Sequence, residues 1–294
     1  MDWKSKRVDA VLEMALLEDH ANSDTTTHLT IDSALKATGT VLAKQDCVVA
    51  GLGAIQQFLE IFARIDHTAP QHFEVIHPPE IFDGVRVKRG QTLAVIRHNA
   101  RTLLSAERVI LNLLQHMSGI ATSTRQFVDA IEGTKTHILD TRKTVPGLRA
   151  LEKYAVLCGG GTNHRLDLSD GILIKNNHIS LGGGIEAVLE RAIRGRQPGQ
   201  RIEVEVRSFS ELEEAIRFGA EAVLLDNMTP AEVGKCVERI LKEERWIPSE
   251  ASGGIVLGNV RAYAETGVEF ISVGALTHSA SAVDLNMRIQ AEGE

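Results

Sequence analysis

The apolar runs in the second half of the chain nearly all end in groups that ionise or in glycine-rich turns. Residues 138–147, ILDTRKTVPG, close on Asp140, Thr141, Arg142 and Lys143. Later runs end in Lys175-Asn176-Asn177-His178, in Glu203 and Glu205, in Asp226-Asn227, in Glu250-Ala251-Ser252-Gly253-Gly254 and in Gly274-Ala275. A separate polar cluster, TNHR at 162–165, adds His164 and Arg165. Arginine forks grip carboxylates and phosphates bidentately. Carboxylates on separate strands suit Mg²⁺, which takes one or two such ligands together with substrate phosphates. Backbone N–H groups in SEASGGI and SVGALTHS can approach a phosphate closely. The chemistry indicated is that of a small polyanion carrying phosphate and carboxylate groups, with Mg²⁺. Plainer readings stand beside it. Glu203 and Glu205 could fill a barrel as an internal salt-bridge lattice with Lys175 and Asp226, His164 could be structural, and the glycine pairs could be tight turns.

Such residues need elements to carry them. After Gly119, short strand candidates alternate with helical stretches: KTHILD, DGILIK, RIEVEV, AEAVLLD, RWIPSEA and VEFISVG, each separated from the next by a helix. About six strands in this rhythm predict a parallel α/β barrel with fewer than the eight units of a complete one, and barrels assemble function at the C-terminal ends of their strands. In RIEVEV, Glu203 and Glu205 share one face and Ile202, Val204 and Val206 the other. Before Gly119 the chain predicts an α+β, sandwich-like unit: an amphipathic helix near 8–17, a loop EDHANSDTTT, paired strands in 37–51, a helix in GLGAIQQFLEIFARI and a hairpin in DGVRVKRGQTLAVIRHNA. That hairpin is of the kind found in biotinyl and lipoyl carriers, but Lys88 lacks their motif context. The helix expected over 101–117 is apolar on most sides, which makes Arg108 awkward, since a buried guanidinium needs an anionic partner. The expected domains are 1–118 and 119–279, with the tail 280–294 packing on the first.

Bulk numbers exclude several function classes. A net charge of −7 over 294 residues and 4% aromatic content argue against a nucleic-acid surface. Three dispersed cysteines give neither a disulfide framework nor a zinc motif. No run approaches a membrane span, and the N-terminus lacks a signal-peptide core, so a cytoplasmic location is expected.

The sequence resembles the quinolinate phosphoribosyltransferase family over nearly its whole length. The motifs that carry the resemblance are ARTLLSAERVILN, GTKTHILDTRKTVPGLRALEKYAVLCGGGTNHR, LIKNNH, EVEV, LLDN, SGGI and YAETGVEFISVGALTHS. The resemblance implies an N-terminal α/β domain and an incomplete barrel, assembled as a homodimer or as dimers of dimers. It implies transfer of phosphoribose from phosphoribosyl pyrophosphate (PRPP) to quinolinate with loss of CO₂, giving nicotinate mononucleotide and pyrophosphate for NAD biosynthesis. It places Thr141, Arg142, His164, Arg165 and Lys175 around quinolinate, with Arg108 reaching in from the partner subunit. Lys143 and Lys175 would meet PRPP, Glu205 and Asp226 the ribose and Mg²⁺, and Ser252, Gly253, Gly274 and His278 the phosphates. Lys143, Lys175, Glu205 and Asp226 are the implied catalytic set, and no organic cofactor is implied. Ala251 departs from the serine frequent there.

Rival readings share parts of the pattern. Lys175 could serve a Schiff-base aldolase, although neighbouring carboxylates favour its charged form and oppose that role. A paralogue could transfer phosphoribose to a different acceptor. A non-catalytic ligand-binding relative would have no reason to keep Lys143, Lys175, Glu205 and Asp226 together.

Overall fold

The structure is a computed structural model and describes residues 1–292. The chain divides into two compact units: Met1–Arg125 with Thr144–Gly160 and the segment from Ala280, and Gln126–Lys143 with Gly161–Ser279.

The first unit is built on an antiparallel sheet in the order Leu285–Ala291, Lys36–Ala43, Thr92–Asn99, Glu74–Ile76. Lys36–Ala43 alternates, burying Ala37, Gly39, Val41 and Ala43, as period-two patterning requires. The helices Lys6–Glu18 and Gly53–Ile65 pack on each other, and Leu12, Leu16, Phe58 and Leu59 on them are buried. Each such side chain contributes about 1.5–3 kcal/mol by leaving water.

Three local expectations need correction here. The stretch around Gly90 is not a hairpin: Arg86–Val87 pairs with Cys47–Val48, whereas Thr92–Asn99 joins the larger sheet. For the same reason the strands in 37–51 do not pair with each other. The stretch read as the loop EDHANSDTTT holds a 3₁₀ turn, Ala21–Ser23, and a helix, Thr25–Thr30, capped by Asp24 accepting from the Thr27 N–H at 3.0 Å.

The helix expected to stop at Met117 runs from Ala100 to Ala130. Gly119 lies inside it because a methyl group there would overlap the Ser281 carbonyl oxygen. Arg108 is exposed on this helix, so its own guanidinium is not a buried charge that must be neutralised. The helix Arg149–Cys158, which the strand–helix rhythm assigned to the barrel, belongs to the first unit. Glu152 on it is fully buried, with its carboxylate 2.8 Å from His116 Nε2 and accepting from the Val145 N–H at 3.2 Å. Tyr154 donates to Asp83 at 2.7 Å.

The second unit holds six parallel strands in the order His137–Leu139, Phe270–Ser272, Ser249–Ser252, Ala222–Asp226, Ile202–Val206, Ile172–Ile174. The first two strands in sequence occupy opposite edges of the sheet, so the barrel is incomplete. The rhythm of the sequence specifies all six. Crossover helices start where their caps say: Ser208 accepts from the Glu211 N–H, and Thr229 with Glu232 forms a capping box ahead of Pro230.

Candidate active site

Asp140 follows the strand His137–Leu139 and is fully buried. Its carboxylate accepts from the His164 backbone N–H at 2.8 Å and from the Asn163 side-chain amide at 2.6 Å. Thr162 N–H donates to the Ile138 carbonyl at 2.8 Å, and Asp140 N–H to that of Thr162 at 3.2 Å. The acid of ILDTRK thus draws the TNHR loop alongside the strand end that bears Arg142 and Lys143.

The consequence is a crowd of positive charge. Partial burial and the neighbouring Arg142 both hold Arg165 below the usual arginine range, with Glu203, Asp170 and Asp167 opposing them. Arg142 Nε is buried and has no hydrogen-bond partner among the described residues. Among those residues, no carboxylate forms a salt bridge with Arg142, Lys143, Arg165 or Lys175. Like charges pressed together beside an unsatisfied buried donor are relieved by a bound anion.

Lys143 is fixed by its main chain. Its N–H donates to Thr141 Oγ1 at 3.0 Å, and its carbonyl accepts from Thr277 Oγ1 at 2.8 Å. Gly274 adjoins it: a Cβ there would stand 3.0 Å from Lys143 Cδ and 3.2 Å from His278 Nε2. Lys143, Gly274 and His278 therefore converge. Lys175 is exposed at the start of the helix Asn176–Gly182, an element the sequence reading did not foresee. Its N–H donates to His178 Nδ1 at 2.9 Å, and the next N–H, of Asn176, reaches Glu205 at 3.3 Å.

The acids share one face of the sheet. Glu205 is in register with Leu224, Leu224 with Glu250, and Asp226 with Ser252. Laterally paired residues point the same way, so Glu203, Glu205, Asp226 and Glu250 form a set opposite the fully buried Ile202, Val204 and Val206. Glu203 meets the His164 imidazole, whose Nε2 is 3.4 Å from it and 3.3 Å from Glu250. Glu205 and Asp226 meet Arg207, at 3.9 and 3.4 Å. Neither cation is the Lys175 expected as their company.

Two groups of acids could interest a metal. Glu205 and Asp226 offer hard oxygens from adjacent strands, and a guanidinium already lies beside both. That donor set fits Mg²⁺. His164, Glu203 and Glu250 also place possible ligand atoms within 4.8 Å of one another. The His164 ring argues against coordination there. The Arg165 N–H approaches Nδ1 at 2.8 Å and needs a lone pair, which puts the ring proton on Nε2, facing the carboxylates. Burial works against protonation of His164, but Glu203 and Glu250 raise its pKa to about 10. Burial, then Glu203, raises that of Glu250. The hydrogen bond from the Arg165 N–H is made by the neutral ring, whose Nε2–H faces the two carboxylates.

In the turn after Ser249–Ser252, Gly253 and Gly254 have φ of +95° and +64°. A side chain on Gly253 would overlap Asn227 Oδ1, and the Asn227 N–H donates to the Ser252 carbonyl at 2.8 Å. The turn thus joins the ends of two adjacent strands next to Asp226.

Arg207 and the pairing of Glu250 with His164 are contacts that the strand-end residues named from sequence do not include. The signal for Arg207 was present: strand alternation puts 207 on the same face as 203 and 205. The partnership of Glu250 with His164 depends on a loop conformation that no local pattern specifies.

The fold is an incomplete βα barrel whose strand ends gather arginine, lysine and acidic side chains. The C-terminal domain of quinolinate phosphoribosyl transferase matches residues 120–288, and the N-terminal domain matches 24–118. The chain belongs to the quinolinate phosphoribosyltransferase family. It is 42% identical over 277 residues to a nicotinate-nucleotide pyrophosphorylase [carboxylating] of Mycobacterium leprae, covering 94% of this chain and 95% of that one. A probable enzyme of the same name from Bacillus subtilis is 38% identical over 97% of this chain and 94% of its own. The crystal structure of NadC from Streptococcus pyogenes superposes with a TM-score of 0.90 at 34% identity, covering 99% of each chain.

Proposed function

We propose that this chain transfers phosphoribose from PRPP to the ring nitrogen of quinolinate and releases pyrophosphate and CO₂, leaving nicotinate mononucleotide for NAD biosynthesis. The observation that carries the reading is the pair of repelling guanidiniums, Arg142 and Arg165, one with a buried donor unsatisfied, in the same unit as the acids Glu205 and Asp226. A dicarboxylate answers the first feature and a magnesium-bound sugar phosphate the second.

In this reading Arg142, Arg165 and Lys175 supply the charge that orients quinolinate, and Thr141 and His164 complete its pocket. Lys143 binds the pyrophosphate as it leaves, beside Ser252, Gly253, Gly274 and His278. Glu205 and Asp226 face the ribose and would hold Mg²⁺, directly or through water; the ion supplies charge neutralisation of the phosphates when bound. The nitrogen–C1 bond forms as the C1–pyrophosphate bond breaks, and Glu205 steadies positive charge on the sugar by preorganised electrostatics. The quaternised ring then accepts the electron pair of the C2–carboxylate bond. CO₂ departs and a proton replaces it at C2, so the substrate is its own electron sink and no organic cofactor is required. Arg108 enters the neighbouring site of a homodimer in the cytoplasm. Among the described residues no helix is long and apolar enough to cross a membrane.

An assay with quinolinate labelled in its 2-carboxylate tests donor, acceptor and decarboxylation together. Labelled CO₂ should appear only when PRPP and Mg²⁺ are both present. Release without PRPP, or none with it, contradicts the reading.

A further inference from the structure

Beneath the cation cluster lies a pair of acids that the proposed reaction does not use. Glu250 is 4% exposed, its Oε2 is 3.3 Å from His164 Nε2, and its Oε1 has no hydrogen-bond partner among the described residues. Glu203, two strands away in the sheet, reaches the same nitrogen at 3.4 Å. The opposite edge of the ring accepts the Arg165 N–H at 2.8 Å, and the His164 N–H is held by Asp140 at 2.8 Å. A continuous line of contacts runs from the buried carboxylates through the imidazole to the main chain of Arg165.

We propose that Glu250, with Glu203, is a positioning residue: it sets the His164 ring so that Nδ1 captures the Arg165 N–H, and so fixes where the Arg165 guanidinium meets the substrate carboxylate. This deepens the reading above and rests on it. Arg165 sits on a loop rather than on a strand, and Arg142 repels it. Left to itself it would move away from its neighbour, and positioning errors at a bidentate contact are costly in affinity. The acids also explain why a histidine is found here. Its two nitrogens accept on one side and donate on the other, which neither ammonium nor guanidinium can do.

The test uses the full-length protein and three variants, Glu250→Gln, Glu250→Leu and Glu203→Gln, with two readouts. Nitrogen-15 NMR of labelled histidine reports the His164 tautomer without substrate. Quinolinate binding is then titrated directly, and KM is measured separately for quinolinate and PRPP. Glu250→Leu should disturb the His164 ring signals and weaken quinolinate binding about tenfold, the scale of one charge-assisted hydrogen bond, with KM for PRPP unchanged. Glu250→Gln, which keeps an acceptor for Nε2–H, should recover most of the loss, and Glu203→Gln should fall between the two. A folded Glu250→Leu that binds quinolinate as the parent does would overturn the inference. So would equal losses for both substrates, or a stoichiometric transition metal in the parent that the variants lack. If the parent itself binds no quinolinate, it is the proposed function that fails.

Discussion

Arg207 places its Nε 3.4 Å from Asp226 Oδ2, and its terminal nitrogen is 3.9 Å from Glu205. The guanidinium, half exposed, lies beside the two acids expected to face Mg²⁺. Removing it strips a competing positive charge from the acid pair. Arg207→Gln should lower the Mg²⁺ concentration for half-maximal activity several-fold, and more steeply at low ionic strength. An unchanged Mg²⁺ titration would separate Arg207 from the metal site.

Arg142 carries an unsatisfied buried donor and has no carboxylate partner among the described residues. Its loss should therefore harm binding more than folding. Arg142→Ala should raise KM for quinolinate about 10- to 100-fold while sparing kcat, as expected for a contact made equally in ground and transition states. A fall in kcat at constant KM would contradict that role.

Gly274 has an ordinary backbone, φ −64°, yet a Cβ on it would lie 3.0 Å from Lys143 Cδ. Gly274→Ala should leave the melting temperature nearly unchanged and raise KM for PRPP, because the methyl group displaces a flexible lysine rather than main chain. A large drop in melting temperature would instead mark the glycine as structural.

His98 is buried in the first unit, and its Nδ1 accepts the Asn99 N–H at 2.7 Å. Burial, with a smaller contribution from His72, pushes its pKa down to about 4. The unfolded chain binds this proton near pH 6.5, whereas the folded one resists until about 4. Stability is thus fully present above 6.5 and is lost as pH falls from there toward 4. Denaturation midpoints across this window should decline less in His98→Phe than in the parent.

Asp24 caps the helix Thr25–Thr30 and also accepts from Ser105 at 3.1 Å. Asp24→Ala should cost about 1–2 kcal/mol, read by urea denaturation.

The barrel was legible because its signals are local. In RIEVEV the alternation alone sends two glutamates to one face, and Thr229, Pro230 and Glu232 announce a helix start without any tertiary knowledge. Strand partners were less legible. The pattern around Gly90 specifies faces but not neighbours, and the two strands flanking that turn join different sheets. The site divides in the same way. Residues at strand ends could be named from sequence, whereas the union of Glu250 with His164 required Asp140 to anchor a loop arriving from twenty-odd residues away.

The strand Leu285–Ala291 lies against Lys36–Ala43. The other three strands of this sheet lie between residues 36 and 99, so during synthesis the sheet lacks its neighbour on that side until residues 285–291 have been made. During that interval Lys36–Ala43 presents bare N–H and C=O groups, the template on which nascent chains cross-pair. A chain cut before Leu285 would leave that edge of the sheet without its partner strand.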